Sequence, residues 1–577
     1  MDSKRSVVQA VAIKNGKIMA VGSGSTISHY IGTSTEVIDL HGQTMLPGFI
    51  DAHIHLVAGS ERLTQCSMDG EALTAAQIVA RAQTCLASDT GGSTDWFQIV
   101  NINPAGLVMT RADLDQISGT RPIWAAGIDG HTGWANTAAL AAAGITTGTL
   151  NPTGGVIARD AAGNATGSLL DNAQALVTSV IPEQSMASRK ATSLQALALA
   201  RSKGITTIQD AFASETVMNV YKALETDGTL NMRVRANLAS EIGDDEAEYA
   251  RLNAIRTSFA NDPLIRADGV KIFADGVIEY PTQTAAMLKP YLDDSGNPTT
   301  NYGGRYFDQA TLNKYITRLD AEGFRINVHA IGNYTTRAVL DAFEQMIASN
   351  GVRSRQHQIS HLEVVDPADI PRLGRLGVYA NMQLFWALPD VYTIEALKPY
   401  IDADAHRYLY PAKSLLSGGA TIIGGSDWPV DAAPGDLMAN TPLRSIYMGV
   451  TRTNPLVDDG HHGEVLYADE QVDRETMIAA YTINAAKSLG MDKEVGSIEV
   501  GKNADFVIFD QDITNVDIKT LFESVDVAAT VFAGKTVYSR PAVSSASKVT
   551  ALSAGGGNAA QVHIKMLPRV HIHGQKE

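Results

Sequence analysis

His53 and His55 close the stretch Met45-Leu-Pro-Gly-Phe-Ile-Asp-Ala-His-Ile-His-Leu56. Residues two apart on a strand project to one face, so the two imidazoles stand side by side. Two neutral imidazoles make half of a metal site. Four later polar residues interrupt apolar runs. They are Lys271 in Gly269-Val-Lys-Ile-Phe-Ala-Asp-Gly276, His329 in Ile326-Asn-Val-His-Ala-Ile-Gly332, His361 in Gln358-Ile-Ser-His-Leu-Glu363 and Asp427 in Ile422-Ile-Gly-Gly-Ser-Asp-Trp-Pro-Val430. Each alone has an ordinary explanation. A strand histidine is more often a hydrogen-bonded core residue, Lys271 could snorkel or pair with Asp275, and Asp427 could cap a helix. Six such residues at successive strand ends are not accounted for in that way.

The set makes chemical sense as two metal ions sharing a water. His53, His55 and Asp427 suit one ion, and His329 and His361 suit the second. A second ion needs a bridging carboxylate, which an unprotonated Lys271 supplies by forming a carbamate with carbon dioxide. The shared water then ionises near neutral pH, the ions polarise a carbonyl, and Asp427 carries the proton to a leaving amine. Ligand softness narrows the divalent metal to zinc, manganese, iron, cobalt or nickel, with zinc the default.

These residues need a frame that brings strand ends together. From Ser202 onward the sequence alternates strand and helix. Strands are expected at 204–210, 232–239, 265–275, 325–332, 356–364, 378–383 and 420–427, with helices such as 186–201, 308–322 and 335–349 between them. With the strand at His53 that makes eight β units, the number that closes a TIM (β/α)8 barrel, whose catalytic groups come from the C-terminal strand ends. An open doubly wound sheet is the alternative, but no Gly-x-Gly-x-x-Gly turn follows an early strand. Short strands around Lys14-Asn-Gly-Lys17 and again near 496–538 predict a composite β-sandwich domain from both termini, 1–46 and 490–541. The barrel then occupies 47–489, with an inserted subdomain at about 57–200 after its first strand. Residues 542–577 are Ser/Ala/Gly-rich through Gly557 and read as a flexible tail, in which Val570-His-Ile-His573 is an incidental or weak metal binder.

With 46 basic and 62 acidic side chains the formal charge is −16, which argues against nucleic acid or an anionic membrane as a partner. A small molecule is the expected partner, and a homo-oligomer is left open. Two cysteines, Cys66 and Cys85, allow one bridge without requiring it. No apolar run is long enough for a membrane span and no signal segment precedes residue 7, so the chain as given reads as cytoplasmic. Other catalytic signatures fail: there is no His-Glu-x-x-His, no Gly-x-Ser-x-Gly and no Pro-Cys-x-x-Cys.

The motifs quoted above, with Leu46-Pro-Gly-Phe-Ile-Asp-Ala-His-Ile-His55 and Gly425-Ser-Asp-Trp-Pro429 the most specific, resemble the amidohydrolase superfamily. Within it the chain is similar to the YtcJ-like branch that includes N-substituted formamide deformylase, over nearly everything from Val7 to Tyr538. The resemblance implies a metal-dependent amidohydrolase acting on carbon–nitrogen bonds other than peptide bonds, with an amide-like substrate and one or two ions, Lys271 carboxylated. Alternatives are a deaminase, a cyclic-amide hydrolase or a non-catalytic barrel with a binding or regulatory role. The branch pattern Asp129-Gly-His-Thr-Gly-Trp-Ala-Asn-Thr-Ala-Ala-Leu140 implies that His131, Trp134 and Asn136 face substrate, against the plain reading of a helix start with Asn136 exposed. Phe385, Trp386 and Trp428 suggest an aromatic-lined mouth. Two departures stand out. Asp171 occupies a region where relatives commonly carry Glu. Relatives also begin with one more strand, and a trimmed leader would change the location to secreted or periplasmic.

Overall fold

The computed structural model describes residues 2, 4–89, 91–92, 94–243, 245–430, 438–455, 462 and 464–540, with the backbone of Gln561–Lys565. Eight strands form one parallel sheet in sequence order. They are β1 Phe49–Ile54, β2 Ile205–Ala213, β3 Arg233–Ala239, β4 Ile265–Phe273, β5 Arg325–Ala330, β6 Gln358–His361, β7 Tyr379–Met382 and β8 Thr421–Gly424. β1 and β5 are buried along their whole length, as strands covered on both faces should be. The sheet curls until its last strand meets its first. Just beyond β8, Asp427 N–H donates to His53 C=O at 2.7 Å, and His55 N–H donates to Trp428 C=O at 2.8 Å. Gly425 makes that approach feasible, because a Cβ there would lie 2.4 Å from the His53 Cβ.

Helices cover the outside of the barrel. Glu215–Thr226 buries Val217, Val220, Tyr221 and Leu224, and Gln309–Ala321 buries Leu312, Tyr315, Ile316 and Leu319. Both sets follow the i, i+3, i+4, i+7 spacing of one helical face. Ser214 and Asp308 start these helices by accepting the N–H groups of Val217 and Thr311.

Both chain ends share a second hydrophobic core. Thr44–Pro47 pairs antiparallel with Phe506–Phe509, and Val11, Ile13 and Met45 pack with Phe506, Ile508 and Val531. One stretch of the tail belongs to the described residues. Gln561–Lys565 forms a strand between Ala10–Lys14 and Thr35–Asp39. Its sequence, Gln-Val-His-Ile-Lys, has the period-two alternation of a half-buried strand, which the low-complexity composition around it obscures. Val570–His573 lie outside the described residues.

The insertion after β1 builds a six-stranded mixed sheet of its own, with two small cores around Ile99 and Leu169. Cys66 and Cys85 are disulfide-bonded there, joining the first strand of that sheet to the helix Ala75–Ser88.

Candidate metal centre and its cavity

His53, His55 and Asp427 offer ligand atoms that all lie within 4.8 Å of one another. Asp427 Oδ1 is 3.4 Å from His53 Nε2 and 3.1 Å from His55 Nε2, and Asp427 Oδ2 is 3.9 Å from His361 Nδ1. Lys271 Nζ approaches His53 Nε2 at 3.1 Å. The His361 ring centre lies 4.9 Å from that of His53 and 4.4 Å from that of His329. The ends of β1, β4, β5, β6 and β8 therefore bring all six residues to one mouth.

Backbone geometry turns two of these side chains inward. His361 has φ 79° and Asp427 has φ 57°, conformations that carry the chain out of the sheet. The preceding side chains are fixed by buried polar partners. Ser360 Oγ donates its single hydrogen to Asn327 Oδ1 at 2.5 Å and lies 2.9 Å from His53 Nδ1. Ser360 must then accept from His53 Nδ1–H, which leaves the His53 Nε2 lone pair facing Asp427. Asp51 Oδ1 accepts the N–H groups of both His53 and Ser426, tying β1 to the segment that carries Asp427. Asp275 accepts the N–H groups of Ala286, Ile331 and Gly332, holding the turn after β5. Asp275 is thus bound to backbone and is no partner of Lys271.

The electrostatics favour neutral nitrogens. Burial, reinforced by Lys271 and by neighbouring imidazoles, holds His53, His329 and His361 well below the usual histidine range. Burial also pushes Lys271 down to about 7, against the pull of Asp427. Neutral imidazoles and a deprotonatable amine are the forms that bind metal and carbon dioxide. His53 and His361 therefore meet Asp427 as neutral rings. His329 Nε2 donates to the Gly276 carbonyl at 3.0 Å, so its Nδ1 is left bare. That atom, both ring nitrogens of His361 and Asp427 Oδ1 are buried without a hydrogen-bond partner. Buried polar atoms left unpaired around one mouth are costly alone, and their lone pairs fit a divalent cation.

A cavity of about 170 Å³ opens over this centre. His131 lines it from the insertion, with its ring centre 5.3 Å from that of His329. Its Nδ1 is 2.6 Å from Asp171 Oδ1, which leaves Nε2 for the cavity. Burial lowers the His131 pKa, but Asp171, Asp129 and Asp427 outweigh it and raise it overall. The shorter acid at 171 therefore still reaches its partner. Trp134 and Asn136 lie elsewhere. Trp134 packs in the core of the insertion, beside Ile99 and Leu107. Asn136 is fully buried, accepts the N–H groups of Ile123 and Ala139, and donates to the carbonyls of Ser118 and Arg121. Both serve the fold. Phe385 and Trp386 line the cavity, whereas Trp428 is packed in the barrel core. Sequence reasoning missed Asp51, Ser360 and Asn327. The signal available was a polar residue inside an apolar strand, the same one that picked out Lys271.

Residues 36–538 match the amidohydrolase family, and the chain belongs to it. It is 30% identical to the Arabidopsis thaliana protein LONG AFTER FAR-RED 3 (93% of this chain, 89% of that one). It is also 29% identical to the putative amidohydrolase YtcJ of Bacillus subtilis (92% and 96%) and 26% identical to the N-substituted formamide deformylase of Arthrobacter pascens (89% and 92%). These relatives place it in the YtcJ-like branch. An uncharacterized metal-dependent hydrolase from Pyrococcus furiosus shares the fold, with a TM-score of 0.62, 23% identity and coverage of 87% of this chain and 94% of that one.

Proposed function

We propose that the protein hydrolyses carbon–nitrogen bonds of amides or N-formyl and N-acyl amines with the help of one or two divalent ions, zinc by default. The observation that carries this reading is the cluster of His53, His55 and Asp427, with the rings of His361 and His329 beside it and unpartnered atoms on both. A divalent ion there would acidify water and polarise a substrate carbonyl. His53, His55 and Asp427 would hold one ion, and His329 and His361 the other, bridged by Lys271 as a carbamate. Asp427 would accept the proton of the attacking water and pass it to the leaving nitrogen. His131, braced by Asp171, would donate from Nε2 to the carbonyl oxygen. The named activity of the Arthrobacter pascens relative supports the formamide end of this range.

A second reading is a one-ion site serving deamination or cyclic-amide opening. It is favoured by the three-residue cluster of His53, His55 and Asp427 and by the engagement of His329 Nε2 with Gly276. Metal analysis of the purified protein, followed by a panel of formamides, N-acyl amino acids, aryl amides and aminated heterocycles, separates the two. Two ions with formamide turnover support the first reading, and one ion with ammonia release from the heterocycles supports the second. A metal-free protein that turns over nothing overturns both and leaves a binding barrel. A carbamate carbon signal after incubation with ¹³C-bicarbonate would identify the Lys271 adduct.

The Cys66–Cys85 bridge bears on location. Disulfides persist in oxidising compartments, so we place the protein outside the cytoplasm, against the plain reading of its sequence. A free-thiol count on protein isolated under alkylating conditions tests this, and two reactive thiols would refute it. Among the described residues no helix is long and apolar enough to cross a membrane.

A further inference from the structure

Four carboxyl groups besides Asp427 line the cavity. Asp129, Glu279, Glu363 and Asp390 all face it, and its described lining contains no lysine or arginine. Two of the four have local structural work. Asp129 accepts the N–H groups of His131 and Thr132, and Asp390 accepts those of Tyr392 and Thr393. The glutamates differ. Glu363 is 3% exposed, and its Oε2 has no hydrogen-bond partner. Both glutamate side chains meet the same space. Phe385, Trp386 and Tyr392 line the cavity as well and offer the ring faces that attract cations.

An unpaired acceptor in a buried site costs free energy, and a second carboxylate beside it adds to the cost. A ligand that donates hydrogen bonds and carries positive charge recovers both. A neutral donor recovers only the first, and an anionic ligand recovers neither. His329, His361 and Asp427 line the same cavity and fix where a scissile carbonyl would sit, so the glutamates would meet another group of the same ligand.

We propose that Glu279 and Glu363 form a subsite for a protonated amine, so that the substrate is an amide carrying a second, cationic nitrogen. This deepens the carbon–nitrogen hydrolase reading and rests on it for the word amide, but the subsite itself is testable without turnover. Calorimetric titration of the metal-loaded protein with n-butylammonium and with n-butanol compares a cation and a neutral molecule of similar size. The cation should bind at least about 10-fold tighter, the range of a charged hydrogen bond. That preference should shrink in Glu279→Gln and in Glu363→Gln. Equal binding by the native protein overturns the proposal, because the two glutamates would then neutralise each other as an acid–carboxylate pair. A preference that survives both substitutions overturns it too.

Kinetics supplies the second arm. N-formylputrescine and N-pentylformamide differ by an ammonium in place of a methyl group. The native protein should favour the former in kcat/KM by at least about 10-fold. Equal hydrolysis of the two overturns the subsite while leaving the amide reading intact. If neither is hydrolysed but butylammonium keeps its binding preference, the amide reading fails and the cation subsite stands.

Discussion

The barrel mouth and the inserted subdomain show two ways of delivering side chains to one cavity. At the mouth, His53, His55, Lys271, His329, His361 and Asp427 come from five strand ends and converge. In the insertion, three residues from one short motif separate into three environments. His131 reaches the cavity, Trp134 enters an apolar core, and Asn136 caps the helix Thr137–Ala142. Closeness in sequence was the poorer guide. Parallel-sheet register fixes where each strand ends, so residues hundreds of positions apart arrive together. A turn between a strand and a helix points successive residues in unrelated directions.

The sharpest test of that contrast removes a mouth residue. Asp427→Ala should lower kcat/KM by roughly 10³-fold or more, with less metal retained on the same sample; full activity would make the ring of ligands inert. Next comes the one insertion residue that reaches the centre. His131→Ala should cost about 10²-fold in kcat. Asp171→Asn should move the alkaline limb of the pH–rate profile to lower pH. The sign follows from the raised His131 pKa: the proton is kept to higher pH by Asp171, and neutralising that carboxylate lets it leave earlier. An unmoved limb would assign the proton to another group.

Smaller effects separate support from chemistry. Ser360→Ala frees the His53 tautomer and should weaken metal affinity by roughly 10–100-fold, read by competition with a chelator; unchanged affinity would make the Ser360 contact incidental. Asn136→Ala should lower unfolding stability by about 1–2 kcal/mol and leave the kcat/KM of the folded protein alone. A kinetic defect at native stability would return Asn136 to the substrate side and blur the contrast between the two regions.

The order of the strands and the six residues that meet at the mouth were legible in the sequence, because a polar residue stands out against an apolar run. Strand ends were less so. The sequence predicts extended chain to 275, 332, 364 and 427, whereas β4, β5, β6 and β8 stop at Phe273, Ala330, His361 and Gly424. The chain beyond mixes apolar and polar residues, and His361 at the end of β6, then Leu362 and Asp427, adopt positive φ as it leaves the sheet. Nothing in their side chains announces this. It is imposed by contacts such as Asp427 N–H with the His53 carbonyl and the tight fit of Gly425.

What the sequence determined by itself was the period of the elements and the chemistry of six residues, both properties of local patterning. Tertiary structure decided four further things. It closed β8 against β1, turned Asp427 between two histidines, and brought Asp171 from the insertion to brace His131. It also left Glu363 Oε2 without a hydrogen-bond partner in a cavity that Glu279 shares. Each depends on which distant groups are excluded from water together, and that is fixed only when the barrel closes.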